Sequence, residues 1–204
     1  MDEGKKPLSV VGFAVAGGRS SRMGRDKATL PWGDGDLLDH ALARLRGVTP
    51  DVRVLCGAAR AYEDRGVPVL VDAVADIGTL AALLAALRAL PPGGTAVLLA
   101  VDLPLVTVPL LRHVTVASHG FDAAVPLSTH GAEPLCAAYG AACLAPIERA
   151  IAGGNYRLTG FWGEARVREI GVAELAALGD VSAMFLNANT PADYARARGM
   201  ADRT

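Results

Sequence analysis

Apolar residues along this chain of 204 residues form short continuous runs that alternate with longer stretches of helical periodicity. The short runs predict strands at residues 10–16, 52–56, 67–71, 96–101, 122–126 and 135–139. Several of these runs are continuous rather than alternating, as is typical of strands whose two faces are both covered. The pattern therefore predicts a mostly parallel sheet that is buried between helices.

Helical patterns lie between these runs, at residues 37–46, 80–90, 108–117, 141–152 and 172–178. A last helix over 192–198 follows Thr190, a suitable N-cap, and Pro191, which is favoured in a first helical turn. Alternating strands and helices indicate a three-layer α/β/α, Rossmann-like fold. We expect one domain over residues 8–199, with flexible termini at 1–7 and 200–204.

Composition narrows the classes of function without naming one. The net charge of −1 and the pI near 6.4 give no overall field that would attract nucleic acid or an anionic membrane. The longest apolar stretch, 80–90, contains Arg88 and is too short to span a bilayer, and no signal peptide is recognisable. The cysteines form no C-x-x-C pair and the four histidines are scattered, which disfavours a zinc site. We expect a cytoplasmic protein that contacts neither nucleic acid nor membrane.

The loop after the first predicted strand combines small residues with cations. Gly17 and Gly18 allow backbone N–H groups to approach a ligand closely, and Arg22 and Lys27 supply positive charge, as do two further arginines at positions 19 and 25. A Walker A loop and the G-x-G-x-x-G pattern are both absent. The loop predicts a site for a nucleoside triphosphate; the alternative is an ordinary glycine-rich turn between strand and helix. Asp26, within the same loop, is expected to pair with a neighbouring cation.

Two carboxylates end predicted strands, where parallel α/β sheets place their sites. Asp72 follows the third predicted strand and Asp102 follows the fourth, just before Leu103 and Pro104. A carboxylate in such apolar surroundings is costly to desolvate unless it meets a cation. Mg²⁺ takes one or two protein carboxylates together with phosphate oxygens, so Asp102 is the candidate metal ligand. The alternative, that Asp102 caps the following helix, is disfavoured because Thr107 is better placed for that role.

The segment A-G-G-x-S-x-R-M-G-x-D-K over residues 16–27 resembles the molybdenum cofactor guanylyltransferases. The resemblance implies a glycosyltransferase-A-like nucleotidyltransferase that moves GMP from GTP to the phosphate of molybdopterin, with Mg²⁺ as cofactor and pyrophosphate as by-product. It assigns catalysis to Arg22, Lys27 and Asp102. By the same resemblance, GTP is bound by Val15, Ala16, Gly17, Gly18, Lys27, Gly57, Asp72 and Asp102.

A second matching stretch, Asn-x-Asn-Thr-Pro at 187–191, lies near the C-terminus. The resemblance implies that an asparagine there, Asn189, helps Asp102 to hold the metal. It places residues 133–139 and 155–157 near the acceptor, and Trp162 in a stretch that contacts the pterin. Trp162 could stack on a flat heterocycle, but an aromatic residue in a glycine-containing loop is at least as often a lid over the core. Transient contacts with molybdoenzymes or other proteins of cofactor biosynthesis are a further implication.

One departure from the family pattern keeps rival functions open. This chain has Gly78-Thr-Leu-Ala-Ala82 where most relatives have Gly-Pro-Leu-Ala-Gly, in a loop that helps to recognise the base. A CTP-using molybdopterin cytidylyltransferase, or a nucleotidyltransferase for sugar or polyol phosphates, is therefore the first alternative. A non-catalytic nucleotide-binding module is the second, although a pure binder has no need of Arg22, Lys27 and Asp102 together.

Overall fold

A computed structural model describes residues 9–16, 26–57, 61–72, 74 and 77–203. In chain order its strands are β1 Val10–Val15, β2 Pro31–Trp32, β3 Gly35–Asp36, β4 Val52–Cys56, β5 Val69–Val71, β6 Thr95–Ala100, β7 Ala123–Ser128, β8 Gly131–Ala132, β9 Ala138–Gly140 and β10 Val167–Ile170. Its α-helices are α1 Leu37–Arg46, α2 Thr79–Arg88, α3 Val108–Ala117, α4 Leu144–Ala152, α5 Val172–Leu175, α6 Val181–Met184 and α7 Pro191–Ala201. Short 3₁₀ turns lie at Lys27–Thr29, Glu63–Arg65, Ala141–Cys143, Trp162–Glu164 and Ala176–Leu178.

The main sheet has the strand order β10-β7-β9-β6-β1-β4-β5. Its neighbours pair in parallel, except that β9 runs antiparallel to both β6 and β7. The short β8 pairs with β7, and β2 and β3 form a separate hairpin. The predicted mostly parallel sheet is confirmed.

The core consists of two apolar clusters, one on each side of the sheet. Helices α1 and α3 contribute to one cluster, which we call the first core cluster. Helices α2 and α4 contribute to the other, the second core cluster. Along β1 the side chains alternate between them, with Ala14 in the first and Phe13 in the second. Gly12 allows α1 to pack closely on β1, because a Cβ there would lie 3.1 Å from the Cβ of Leu45. The predicted three-layer α/β/α architecture is thus confirmed.

Two predicted helix starts are confirmed by their capping hydrogen bonds. The Thr107 hydroxyl accepts from the Leu110 N–H at the start of α3. Thr190 and Asp193 form a reciprocal capping box at the start of α7, with Pro191 in the first turn. These local bonds explain why the two helix starts could be predicted from short stretches of sequence.

The structure differs from the predicted elements at β10, at β9 and at the start of the helix predicted over 141–152. β10 was not predicted, since its four residues include Arg168 and Glu169 and it pairs only with β7. The run at 135–139 forms a strand only from Ala138, and the predicted helix at 141–152 begins as a 3₁₀ turn. Among the residues that the structure describes, no helix is both long and apolar enough to cross a membrane. The domain limits of 8–199 stay a prediction.

Candidate active site

The candidate site residues lie along one edge of the sheet because their strands run parallel. β6, β1, β4 and β5 are neighbours in that order, so their carboxyl ends meet at the same edge. Asp102 follows β6, Ala16 follows β1, Gly57 follows β4 and Asp72 follows β5. The Val15 side chain is buried, so this residue can offer a ligand only its backbone. The described part of the predicted nucleotide site is therefore assembled at one edge of the sheet.

Lys27 lies at the centre of the best-defined cluster at this edge. Its Nζ donates to Oδ1 of Asn189 at 2.5 Å and lies 3.6 Å from Oδ2 of Asp102. The Lys27 and Asp102 side chains are only 20% and 24% exposed, so their attraction is less screened than at an open surface. The fold thus brings together three residues that the sequence singled out separately.

The C-terminal segment reaches this cluster through a backbone contact. The carbonyl oxygen of Asp102 accepts a hydrogen bond of 2.8 Å from the N–H of Ala188, whose side chain is fully buried. This contact places Asn189 beside the strand end, although Asn189 and Lys27 are 162 residues apart in sequence. Immediately afterwards the Thr190 cap turns the chain into α7, which holds the asparagine at the end of a fixed helix.

The oxygen atoms of this cluster suit a hard divalent cation. A carboxylate from Asp102 and an amide oxygen from Asn189 are ligands that Mg²⁺ accepts, and both already face one positive group, the Lys27 ammonium. Across the described ranges, no group of three or more His, Cys, Asp or Glu side chains could hold a metal by itself. Mg²⁺ commonly completes its octahedron with phosphate oxygens and water, so two protein ligands fit it.

Asp72 and Gly57 lie at the ends of the two outer parallel strands. The N–H of Asp72 donates to the carbonyl of Cys56 at 3.1 Å, which fixes the backbone at this strand end. Burial raises the pKa of the Asp72 carboxyl above its usual value. Among the described residues, no atom lies within 4 Å of the position that a Cβ at Gly57 would take.

Among the described residues, Asp26 contacts a backbone N–H and a tyrosine hydroxyl. Its expected pairing with a neighbouring cation stays a prediction, because the arginines at 19, 22 and 25 lie outside the described residues. Oδ1 of Asp26 accepts from the N–H of Ala28 at 3.0 Å and so caps the 3₁₀ turn that begins at Lys27. Its Oδ2 accepts from the hydroxyl of Tyr62 at 2.5 Å. Tyr62 was not singled out from the sequence, because no local pattern marks a tyrosine that reaches a loop 36 residues away.

The acceptor side predicted from the sequence includes a carboxyl group near Asp102. Burial raises the pKa of Glu133, and the negative charge of Asp102 adds to this effect, while a hydrogen bond from Ser128 and the charge of His130 oppose it. Trp162 packs against the second core cluster, which favours its interpretation as a lid over the core. Tyr156, within the stretch 155–157, is half exposed.

Three predicted site residues, Gly17, Gly18 and Arg22, lie outside the described residues, as do the arginines at 19 and 25. Their roles in binding the phosphates stay predictions from the sequence. Ala16 and Asp26, which flank this segment, are described: the N–H of Ala16 donates to the carbonyl of Leu55 at 2.8 Å.

Comparison with known proteins identifies the family to which this chain is similar. A family model described as the MobA-like NTP transferase domain matches residues 12–168. A probable molybdenum cofactor guanylyltransferase of Pelotomaculum thermopropionicum is 32% identical to this chain, over 97% of this chain and 96% of that protein.

Two solved structures share the fold. The molybdopterin-guanine dinucleotide biosynthesis protein A of Archaeoglobus fulgidus has a TM-score of 0.78 at 24% identity, over 95% of this chain and 99% of its own. A Mycobacterium tuberculosis H37Rv protein solved in complex with manganese has a TM-score of 0.63 at 22% identity, over 94% of this chain and 99% of its own.

Proposed function

This chain belongs to the MobA-like NTP transferase family, and from that premise we propose that it is a molybdenum cofactor guanylyltransferase. In the proposed reaction it transfers GMP from GTP to the phosphate of molybdopterin. The products are molybdopterin guanine dinucleotide and pyrophosphate. The similarity to the Pelotomaculum protein over nearly the full length of both chains supports this assignment.

The observation that carries the proposal is the cluster of Lys27, Asp102 and Asn189 at the carboxyl edge of the sheet. A ligand with several negative charges needs both a fixed cation and a means of holding a metal, and the cluster offers the two within a few ångströms. A module that merely bound a nucleotide would have no need to combine them.

The proposed step is a displacement at the α-phosphorus of GTP. An oxygen of the acceptor phosphate forms a new bond to this phosphorus, and the bond to the bridging oxygen of the β-phosphate breaks, so that pyrophosphate leaves with the electron pair. The acceptor is already an anion, and no proton has to be removed from it. Positioning and neutralisation of charge then supply the rate enhancement.

Asp102 and Asn189 are the residues that would hold Mg²⁺ in this proposal. When bound, Mg²⁺ supplies positive charge to the reacting phosphates and helps to align them. Use of a divalent metal is supported by the manganese in the Mycobacterium tuberculosis neighbour and by the oxygen ligands described above.

Lys27 and Arg22 act on the leaving group in this proposal. A fixed cation beside the bridging oxygen stabilises the charge that develops there more than it stabilises bound GTP. Lysine provides a compact charge, and arginine can hold two phosphate oxygens at once. Val15, Ala16, Gly17, Gly18, Gly57 and Asp72 complete the binding of the nucleotide.

The altered segment at 78–82 leaves the preference for the guanine base of GTP as the part of the proposal that most needs a test. Gly78 is the N-cap residue before α2; it makes no side-chain capping bond, and its φ of +65° favours glycine. Thr79 replaces the proline of most relatives in the first turn, and Ala82 is buried. A CTP-using enzyme, or one with a sugar or polyol phosphate as acceptor, would keep the same fold and chemistry.

The experiment is Mg²⁺-dependent release of pyrophosphate with molybdopterin as acceptor, comparing GTP with CTP. Release with GTP alone is the expected result. Release with CTP alone would assign the chain to the cytidylyltransferase activity. Binding of GTP without release from any acceptor would favour the non-catalytic alternative. Contacts with molybdoenzymes and a cytoplasmic location stay predictions from the sequence.

A further inference from the structure

Tyr62 has an unusual backbone conformation close to the proposed phosphate site. It lies in the connection between β4 and β5, with φ +66° and ψ 22°. Among the residues that the structure describes, it is the only non-glycine residue with positive φ. This left-handed region costs an ordinary residue about 1–2 kcal/mol, so the contacts around Tyr62 must hold it there.

Two ion pairs of Arg65 anchor the turn that follows Tyr62. The Arg65 guanidinium donates to Asp36 at 2.6 Å and to Asp39 at 2.7 Å, and these two aspartates form the capping box of α1. The N–H of Arg65 donates to the carbonyl of Tyr62 at 3.2 Å, which links the anchor to the tyrosine. The Tyr62 side chain packs against the first core cluster.

The Tyr62 hydroxyl contacts Asp26, the cap of the turn that carries Lys27. It donates to Oδ2 of Asp26, while Oδ1 of the same carboxylate accepts from the N–H of Ala28. Among the described contacts, one Asp26 oxygen therefore serves the tyrosine and the other serves the turn. Lys27 begins this turn, and its ammonium reaches Asn189 and Asp102. A continuous series of contacts runs from Tyr62 through Asp26 to Lys27.

We propose, on the basis of the function proposed above, that Tyr62 is a positioning residue: through Asp26 it fixes the turn that aims Lys27 at the phosphates of the nucleotide. The local sequence does not favour the left-handed backbone of Tyr62, but this conformation brings its hydroxyl to Asp26. Burial, and then the hydrogen bond to Asp26, raise the pKa of the Tyr62 hydroxyl. The hydroxyl is therefore protonated at neutral pH and can donate the hydrogen bond to Asp26.

The test is Tyr62→Phe, which removes the hydroxyl and keeps the ring that packs on the core. The contact is a hydrogen bond to a charged group, so we expect its loss to weaken GTP binding in the presence of Mg²⁺ by about ten-fold. Titration calorimetry without acceptor measures this. We expect the melting temperature to change by less than about 3 °C, because the packing is retained.

A double-mutant cycle with Lys27→Met separates positioning from a general structural role. If Tyr62 acts through Lys27, the Phe substitution should change GTP affinity by less than about two-fold when Lys27 is already absent. Tyr194→Phe is the matched control: the Tyr194 hydroxyl donates to the carbonyl of Pro31 and does not contact Asp26. We expect that variant to bind GTP as the wild type does.

The inference is overturned if Tyr62→Phe binds GTP normally, or if it loses the same factor with and without Lys27. Either result can occur while the wild type releases pyrophosphate normally, in which case the proposed function stands and only the positioning role fails. Conversely, coupling between Tyr62 and Lys27 in a protein that transfers nothing would support the positioning role and reject the enzyme assignment.

Discussion

The pKa values of carboxylates are shifted in opposite directions at the two edges of the central sheet. At the amino edge, Asp122 accepts from the backbone N–H of Arg166 at 2.8 Å and from its guanidinium at 2.9 Å. These bonds with Arg166 hold the pKa of Asp122 below its usual value. At the carboxyl edge, burial raises the pKa of Asp72 and of Glu133.

The difference distinguishes carboxylates that serve the fold from those available to a ligand. Asp122 has its counter-charge supplied by the chain and ties β7 to the segment before β10. Asp72 is partly buried, and none of the described residues offsets the rise in its pKa, so burial disfavours its ionised form. Asp102 and Asn189 face the Lys27 ammonium, a compact point charge that the capped turn at Lys27–Thr29 holds beside them.

The largest effect is expected for Asp102→Asn, which removes the charge from the proposed metal site. We expect pyrophosphate release to fall by at least about 100-fold, as when a group that stabilises transition-state charge is lost. The melting temperature should change little, because the backbone bond to Ala188 is retained. Steady-state kinetics at saturating Mg²⁺ measure the loss, and near-normal turnover would reject the role assigned to Asp102.

Lys27→Met should also lower turnover, by about 100-fold, because it removes a fixed cation from the leaving group. It should at the same time raise the affinity for Mn²⁺ in the absence of nucleotide, since the ammonium no longer occupies the oxygens of Asn189 and Asp102. Electron paramagnetic resonance of free Mn²⁺ measures this affinity. Mn²⁺ binding that weakened in Lys27→Met would contradict the arrangement, and Asp102→Asn provides the control in which binding should be lost.

At the opposite edge, Asp122→Asn should lower the free energy of unfolding by at most about 1 kcal/mol, because solvent screens the exposed pair with Arg166, and should leave turnover per folded molecule unchanged. The folded-state pKa of Asp122 is lowered, so its stabilisation is present above the unfolded pKa of about 3.9 and is lost as the pH falls through the folded pKa. Urea unfolding at pH 7 and at pH 3 should show a difference between variant and wild type that shrinks at the lower pH. A difference independent of pH would reject the ionic contribution.

The smallest effect is expected for Asp72→Asn, which should stabilise the protein, whereas Asp122→Asn should destabilise it. The folded-state pKa of Asp72 is raised, so ionisation opposes folding at neutral pH and the amide removes this penalty. We expect the melting temperature to rise by about 1–3 °C at pH 7. The gain should vanish once the pH falls below the unfolded pKa. Differential scanning calorimetry at both pH values measures it, and a lower melting temperature at pH 7 would place Asp72 with the structural carboxylates.

The sequence by itself determined the adjacent parallel strands β6, β1, β4 and β5 and the residues that follow them. Continuous apolar runs predict buried parallel strands, and a carboxylate that ends such a run, as at Asp72 and Asp102, has few roles apart from a site. Thr107 and Thr190 were recognisable as caps because a cap bonds to residues only three positions away. The motif at 16–27 indicated the family for the same reason, since its residues are adjacent in sequence.

Only the tertiary structure decided which of these residues meet. Asn189 reaches Lys27 across 162 residues because Ala188 bonds to the strand end at Asp102, and no local pattern encodes that contact. Tyr62 was missed because its role depends on a strained backbone and on a distant carboxylate. Local periodicity and capping depend on neighbours in sequence, whereas the pairing of strand ends and loops depends on how the whole sheet is assembled.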